Sequence, residues 1–109
     1  MKKIAIFGAG GFGREVLMLI EQINKISKEW VFIGFFDDGL NEGEIVNGFP
    51  VIGGLEDLRK VKEEINIVLA IGSPKTKKTI VSSMECNSMI SYPTIIHPNV
   101  QIGRNINIG

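Results

Sequence analysis

A cluster of glycines near the amino terminus constrains the fold more than any other feature of this sequence. The segment 8–13 reads GAGGFG and lies between an apolar run and a helical pattern. In that context Gly8 permits a tight turn, Gly10 lets a phosphate approach the backbone, and Gly13 permits close helix–strand packing. The free amides at the helix start favour an anion, which would also offset the unfavourable place of Arg14 in the first turn. The motif predicts nucleotide or phosphate binding, with a purely geometric glycine turn as the alternative.

Strand-like and helix-like segments alternate along the chain up to residue 93. Continuous apolar runs are typical of strands buried in a parallel sheet, and apolar residues three or four apart are typical of helices. The pattern predicts strands at 4–7, 31–36, 49–52, 65–71 and 89–92, helices at 12–26, 55–64 and 74–86, and a loop at 39–48. We expect 49–52 at a sheet edge because Pro50 has no N–H to donate. This order predicts an α/β fold with a parallel sheet and helices on both faces.

The spacing of apolar residues changes in the last segment of the sequence, from residue 96 onward. Ile96, Ile102 and Ile108 recur every six residues, a period that matches neither a helix nor a simple strand. It matches the hexapeptide repeat of a parallel β-helix, whose repeats need stacked neighbours to bury their apolar faces. We therefore predict a division at residues 1–93 and 94–109, with the second part the truncated start of a β-helix.

Polar or small residues follow two of the predicted strands. Asp37 and Asp38 end the second strand, where a doubly wound sheet recognises a ribose or a base. Gly72 and Ser73 follow the strand at 65–71, and ligands bind in the crevice beyond such strand ends. Each has a structural alternative, since an Asp-Asp-Gly sequence also forms turns and Ser73 before Pro74 is a good helix N-cap.

Composition and charge exclude several classes of protein. Twelve basic and twelve acidic side chains in 109 residues leave no net charge, which argues against a nucleic-acid partner. No apolar run reaches the roughly 18 residues of a membrane span, and no signal peptide is recognisable, so we expect a cytoplasmic protein without a membrane partner.

We also find no catalytic set and no metal-ligand spacing in the sequence. The single cysteine, Cys86, rules out an internal disulfide framework and a cysteine-rich zinc site. The single histidine, His97, stands beside Pro98 and is interpreted as a turn residue. Three lysines, Lys75, Lys77 and Lys78, are interpreted as a solvated helix face. The sequence predicts a binding site without a visible catalyst.

Several segments together resemble one bacterial family. They are residues 4–15 (IAIFGAGGFGRE), 36–38 (FDD), 47–53 (NGFPVIG), 70–72 (AIG) and the onset of hexapeptides after 96–98 (IHP). In this combination the chain is similar to the sugar acyltransferases related to sialic acid O-acetyltransferase and to the nucleotide-amino-sugar N-acetyltransferases. The resemblance covers the whole chain. It implies a Rossmann-like sugar-binding domain followed by a left-handed parallel β-helix.

The resemblance also implies a substrate and roles for residues. The substrate would be a sugar, often UDP-linked, and the acyl donor would be acetyl-CoA, with no metal. The diphosphate or sugar would contact Gly8, Gly10, Gly11, Phe12, Gly13 and Arg14. Asp37 and Asp38 would face the uridine, and Gly72 and Ser73 would close the pocket.

The resemblance places the remaining machinery elsewhere in the family's fold. The catalytic histidine and the acetyl-CoA site would lie along the β-helix, beyond Gly109. Full-length relatives would be homotrimers, whereas this fragment would be inactive and monomeric or a weak oligomer.

Two alternatives to the acyltransferase interpretation stay open. One is an NAD(P)-binding Rossmann domain of an oxidoreductase or regulatory protein, supported by the glycine motif alone, and the other is a structural domain with an empty crevice.

Overall fold

The computed structural model describes residues 2–93, which form a six-stranded sheet and three helices. The strands are β1 (Lys2–Phe7), β2 (Trp30–Phe36), β3 (Ile45–Val46), β4 (Phe49–Gly53), β5 (Ile65–Leu69) and β6 (Ile90–Ser91). The helices are α1 (Gly11–Ile26), α2 (Leu55–Arg59) and α3 (Pro74–Ser83). The predicted division between 1–93 and 94–109 and the hexapeptide segment lie outside the described residues.

The sheet is mostly parallel, with strand order β3-β4-β2-β1-β5-β6. Strand β1 lies in the middle and pairs in parallel with β2 on one side and β5 on the other. Strands β4 and β6 extend this parallel arrangement outward, and β3 adds an antiparallel edge beyond β4. Because parallel strands end at the same edge, the loops after β1, β2, β4 and β5 meet there.

Helices cover both faces of the sheet, as the sequence predicts. On one face the side chains of Ile4 and Ile6 pack with α1 in one apolar cluster, the α1-face cluster. On the other face the alternate residues Ala5 and Phe7 share a second cluster with Leu58 of α2 and Ile80 and Met84 in and after α3. Burying each large aliphatic side chain in this way contributes roughly 1.5–3 kcal/mol. The two clusters hold the strand ends at fixed positions.

Two predictions about residues 39–52 are wrong: the segment 39–48 is not loop throughout, and the strand at 49–52 is not at the edge of the sheet. Strand β3 forms inside that loop and pairs with β4, so β3 rather than β4 is the edge. The connection is a two-residue turn in which Asn47 and Gly48 both have positive φ, 50° and 85°. Such Asn-Gly turns match the twist of a hairpin. Pro50 is tolerated because the pairing of β4 with β2 starts only at Val51.

Four other elements, α2, β5, α3 and β6, are shorter than predicted. Helix α2 ends at Arg59 rather than at residue 64, because Asn87 Nδ2 donates to the carbonyl oxygens of Arg59 and Val61, at 2.9 and 3.0 Å. Strand β5 ends at Leu69, and α3 ends at Ser83 in turns that run on to the short strand β6. Within residues 2–93, no helix is both long and apolar enough to cross a membrane.

The start of α3 provides a test of capping. Ser73 Oγ accepts a hydrogen bond from the Thr76 amide at 3.3 Å, and Pro74 occupies the first turn. Ser73→Ala removes this acceptor, and we expect it to lower the free energy of unfolding by about 1 kcal/mol in urea denaturation. Ser73→Asp keeps an acceptor and should stay close to wild type. Equal losses in the two variants would show that the hydroxyl does not act as a cap.

Candidate ligand site at the carboxyl edge of the sheet

The turn between β1 and α1 depends on two glycines for its geometry. Gly8 has a φ of +109°, and its amide continues the sheet by donating to the Phe36 carbonyl at 2.8 Å. A Cβ on Gly8 would lie 2.8 Å from the carbonyl oxygen of Ala70, and one on Gly13 would overlap the carbonyl oxygen of Gly8. The geometric role that the sequence motif gives to these two glycines is therefore visible in the backbone itself.

The other two glycines of the turn have open space beside them. A Cβ on Gly10 or Gly11 would meet no atom within 4 Å. Gly10 is the N-cap of α1 and supplies no capping side chain, and the first turn contains no acidic residue. The helix therefore begins with an exposed backbone, and its partial positive charge is not offset by a side chain of its own. Arg14 is exposed in the same turn, while Phe12 is half-buried against the α1-face cluster.

Asp37 joins three chain segments at the end of β2. Its Oδ2 accepts a hydrogen bond from the Ala9 amide at 2.9 Å, and its Oδ1 accepts one from the Gly39 amide at 2.7 Å. Its own amide donates to the Gly53 carbonyl at 2.9 Å. The carboxylate thus ties the glycine turn to the turn after β2, and the backbone ties both to the end of β4.

Asp38 is exposed and makes a different contact. Its Oδ1 accepts from the Leu55 amide at 2.7 Å and so caps α2 from outside the helix. A Cβ on Gly54 would overlap that oxygen, which explains why glycine stands there. Among the described residues, Asp38 Oδ2 has no hydrogen-bond donor.

The segment after β5 closes the other side of the turn. The Ala70 amide donates to the Phe7 carbonyl at 2.9 Å, which brings this segment beside Gly8. Gly72 and Ser73 are both exposed, and a Cβ on Gly72 would meet nothing within 4 Å. The structure records no hydrogen bond between Ser73 and the glycine turn, because the Ser73 hydroxyl caps α3 instead.

Two features of this edge were not anticipated from the sequence. The pair Gly53-Gly54 packs directly beneath the two aspartates, through the Gly53 carbonyl and the space left by Gly54. The two consecutive glycines at the end of a predicted strand could have indicated this close packing.

Lys77 is buried, at 9% exposure, so the interpretation of Lys75, Lys77 and Lys78 as one solvated face is wrong for Lys77.

The opposite edge of the sheet has a polar cleft. A cavity of about 510 Å³ lies there, lined by Lys3, Glu63, Asn66 and Ser91 among others. Lys3 Nζ lies 2.6 Å from Glu63 Oε2 and lowers the pKa of Glu63 by hydrogen bonding and by charge. This cleft is at the amino ends of β1 and β5 and shares no lining residue with the glycine turn.

The chemistry available at the glycine turn is that of binding. Backbone amides and the open space at Gly10 and Gly11 can accommodate an anion. Asp38 Oδ2, which has no donor within residues 2–93, can accept a hydrogen bond from a hydroxyl or N–H group. No group of three or more His, Cys, Asp or Glu side chains that could hold a metal occurs within residues 2–93. The only histidine of the chain, His97, lies outside the described residues.

The fold and the turn together define a Rossmann-like α/β domain with a glycine-rich turn at the carboxyl edge of a mostly parallel sheet. Residues 3–84 match the PglD N-terminal domain family. The chain therefore belongs to the PglD N-terminal domain family.

Solved structures agree with this assignment. The chain is 31% identical to the acetyltransferase domain of PglB from Neisseria gonorrhoeae FA1090, with a TM-score of 0.67 over 90% of this chain and 45% of that one. It is 30% identical to the same domain in complex with acetyl coenzyme A, with a TM-score of 0.62 over 89% and 44%. The chain thus spans less than half the length of these structures. No curated protein gives a match.

Proposed function

We propose that this chain is the substrate-binding, N-terminal part of a sugar acetyltransferase that transfers acetyl from acetyl-CoA to a nucleotide-linked sugar. The observation that carries the proposal is the family match over residues 3–84. The likeness to an acetyltransferase domain over about nine-tenths of the chain supports it. The resemblance at the level of motifs adds the substrate class, a UDP-sugar.

The carboxyl edge of the sheet would hold that substrate. The exposed backbone at Gly10 and Gly11 would receive the diphosphate, where the α1 dipole favours negative charge and no Cβ stands in the way. Gly8 and Gly13 would shape the turn, while Phe12 and Arg14 would lie beside the phosphates or the sugar. The uridine would lie at the Asp37-Asp38 end of β2, with Asp38 rather than Asp37 as the side chain in contact, and Gly72 and Ser73 would line the far side.

The chemistry of acetyl transfer assigns a limited role to the described residues. A sugar amine or hydroxyl attacks the thioester carbonyl and loses a proton to a base, while the C–S bond breaks and CoA leaves as a thiolate that takes up a proton. Correct placement of both reactants contributes much of the rate. Residues 2–93 contain no histidine, and the proposal assigns no catalytic residue to this part of the chain. The resemblance assigns the base and acetyl-CoA to the β-helix of a homotrimer, beyond Gly109.

The domain's contribution would therefore be to hold the acceptor. We also propose that residues 94–109 begin the β-helix, that this chain by itself is inactive and monomeric or weakly associated, and that it works in the cytoplasm.

Calorimetric titration of the chain with UDP, UDP-N-acetylglucosamine and NAD tests the proposal. We expect both UDP ligands to bind, and Gly10→Val to weaken binding by about tenfold or more because its side chain fills the space left for the phosphate. Gly10→Ala adds one carbon instead of three and should have a smaller effect. Neither variant should unfold the domain, since nothing lies within 4 Å of the added Cβ.

The other outcomes are distinct. Binding of NAD without UDP would replace the proposal with the dinucleotide-binding alternative. No binding of any of the three compounds would contradict the assignment of a nucleotide-linked substrate.

A further inference from the structure

We propose that Asp37 is a positioning residue, which holds the glycine turn in its binding conformation and does not itself contact the substrate. The inference rests on the proposed function for its binding readout. Both carboxylate oxygens of Asp37 are already engaged: Oδ2 accepts from Ala9 at 2.9 Å, and Oδ1 accepts from Gly39 at 2.7 Å. A carboxylate that bridges two loops in this way fixes their separation.

Asp38 provides the contrast at the next position. Only its Oδ1 has a partner, the Leu55 amide at 2.7 Å, and the side chain is exposed. Its Oδ2 has no donor within the described part of the chain and can accept from a ligand. The two aspartates, which look equivalent in the sequence, therefore differ in what a ligand could use.

The charge of Asp37 has a second effect on the turn. Helix α1 has no acidic residue in its first turn and no capping side chain. The Asp37 carboxylate at the Ala9 amide places a negative charge near the positive end of that helix. The turn is thus held in the free chain, and a site ordered in advance loses less entropy on binding. The same carboxylate repels a diphosphate at Gly10 and Gly11, and we expect its ordering of the turn to have the larger effect on binding.

Asparagine substitutions separate the two roles because an amide keeps one acceptor oxygen and replaces the other with an NH₂ donor. In Asp37→Asn, either Ala9 or Gly39 must face that NH₂ group. In Asp38→Asn, the remaining oxygen can still accept from Leu55. We expect Asp37→Asn to lower the melting temperature of the ligand-free chain by about 5 °C or more, and Asp38→Asn to leave it nearly unchanged.

Nuclear magnetic resonance of the backbone amides supplies a readout specific to positioning. In the wild type, the amide protons of Ala9 and Gly39 should resonate downfield because each donates to a carboxylate, and at least one should move upfield in Asp37→Asn. On titration with UDP, the amides of Gly11 and Phe12 should shift while that of Ala9 stays in place. By calorimetry, Asp37→Asn should weaken UDP binding by about three- to tenfold.

Two results would overturn the proposal. One is displacement of Asp37 from Ala9 by UDP, seen as a large shift of the Ala9 amide. The other is an Asp37→Asn variant that keeps the wild-type melting temperature and amide shifts but no longer binds UDP, as expected of a direct ligand contact. If the wild-type chain binds no UDP, the proposed function fails, while the melting temperatures and amide shifts of the free chains still decide whether Asp37 holds the turn.

Discussion

Replacing Gly13 by alanine is expected to destabilise the domain by about 3 kcal/mol or more. The added Cβ would overlap the carbonyl oxygen of Gly8 and lie 3.6 Å from the Ile6 side chain. The obstructing atom belongs to the backbone of the central strand's turn, so no side-chain rotation relieves the overlap. Urea unfolding followed by circular dichroism measures the loss.

Gly11→Ala is the matched control for this substitution. Gly11 lies two residues earlier in the same helix, and its Cβ would meet nothing within 4 Å. Alanine is the better helix former, so we expect a change between zero and about 1 kcal/mol in the stabilising direction. If Gly13→Ala were as stable as Gly11→Ala, the close approach of α1 to the turn would be refuted.

Phe35→Ala is expected to cost about 3–5 kcal/mol of stability because it leaves a cavity in the α1-face cluster. Phe35 is fully buried, with 0% exposure, and its ring packs edge-to-face on Phe32 with centroids 5.3 Å apart. It also lies two residues before Asp37, so a shift in β2 would reach the candidate site at the carboxyl edge of the sheet. Chemical denaturation measures the loss of stability.

Phe35→Leu keeps much of the buried volume and should lose less than half as much stability as the alanine variant. The ratio of the two losses is informative. Similar losses in both variants would mean that the aromatic contact with Phe32, rather than the filled volume, is what stabilises the cluster at this position.

The main features of the fold could be predicted from the sequence because they are local. Continuous apolar runs such as 4–7 and the helical spacing in 12–26 predict β1 and α1, and both are confirmed to within a few residues. The hairpin of β3 and β4 was missed although Asn47-Gly48 is a recognised turn sequence. The polar, glycine-rich stretch before this turn is typical of a loop and therefore predicted one over the whole of 39–48.

Element ends were harder to predict because distant residues decide them. Helix α2 stops at Arg59 because Asn87, 28 residues later, takes up its carbonyl oxygen. No pattern within 55–64 contains that information. The burial of Lys77 was likewise not predicted, since the polar pattern of residues 75–78 is typical of a solvated helix face.

In the candidate site, too, the local features could be predicted from the sequence and the contacts between distant residues could not. The sequence places a glycine turn before α1 and two aspartates after β2, and the structure brings Asp37 into contact with that turn. The motif predicts the structural roles of Gly8 and Gly13, but the residue that limits Gly8 could not be predicted, because Ala70 follows β5 and is distant in sequence. Asp37 accepts a hydrogen bond from Ala9 in the glycine turn, whereas Asp38 accepts one from Leu55 at the start of α2. This difference depends on where the two segments lie in space, so the sequence does not predict it. The ligand roles of these residues stay predictions.

The central position of β1 has a consequence for how the protein is made. Strand β1 is synthesised before both of its partners: it pairs with β2, about 28 residues later, and with β5, about 62 residues later, as its register with Trp30 and Asn66 shows. The glycine turn is bounded by the segment after β5, through the contact between Gly8 and Ala70. A nascent chain therefore carries the complete glycine motif long before it has the neighbours that shape it, and the turn can take its final conformation only after residue 70 has been synthesised.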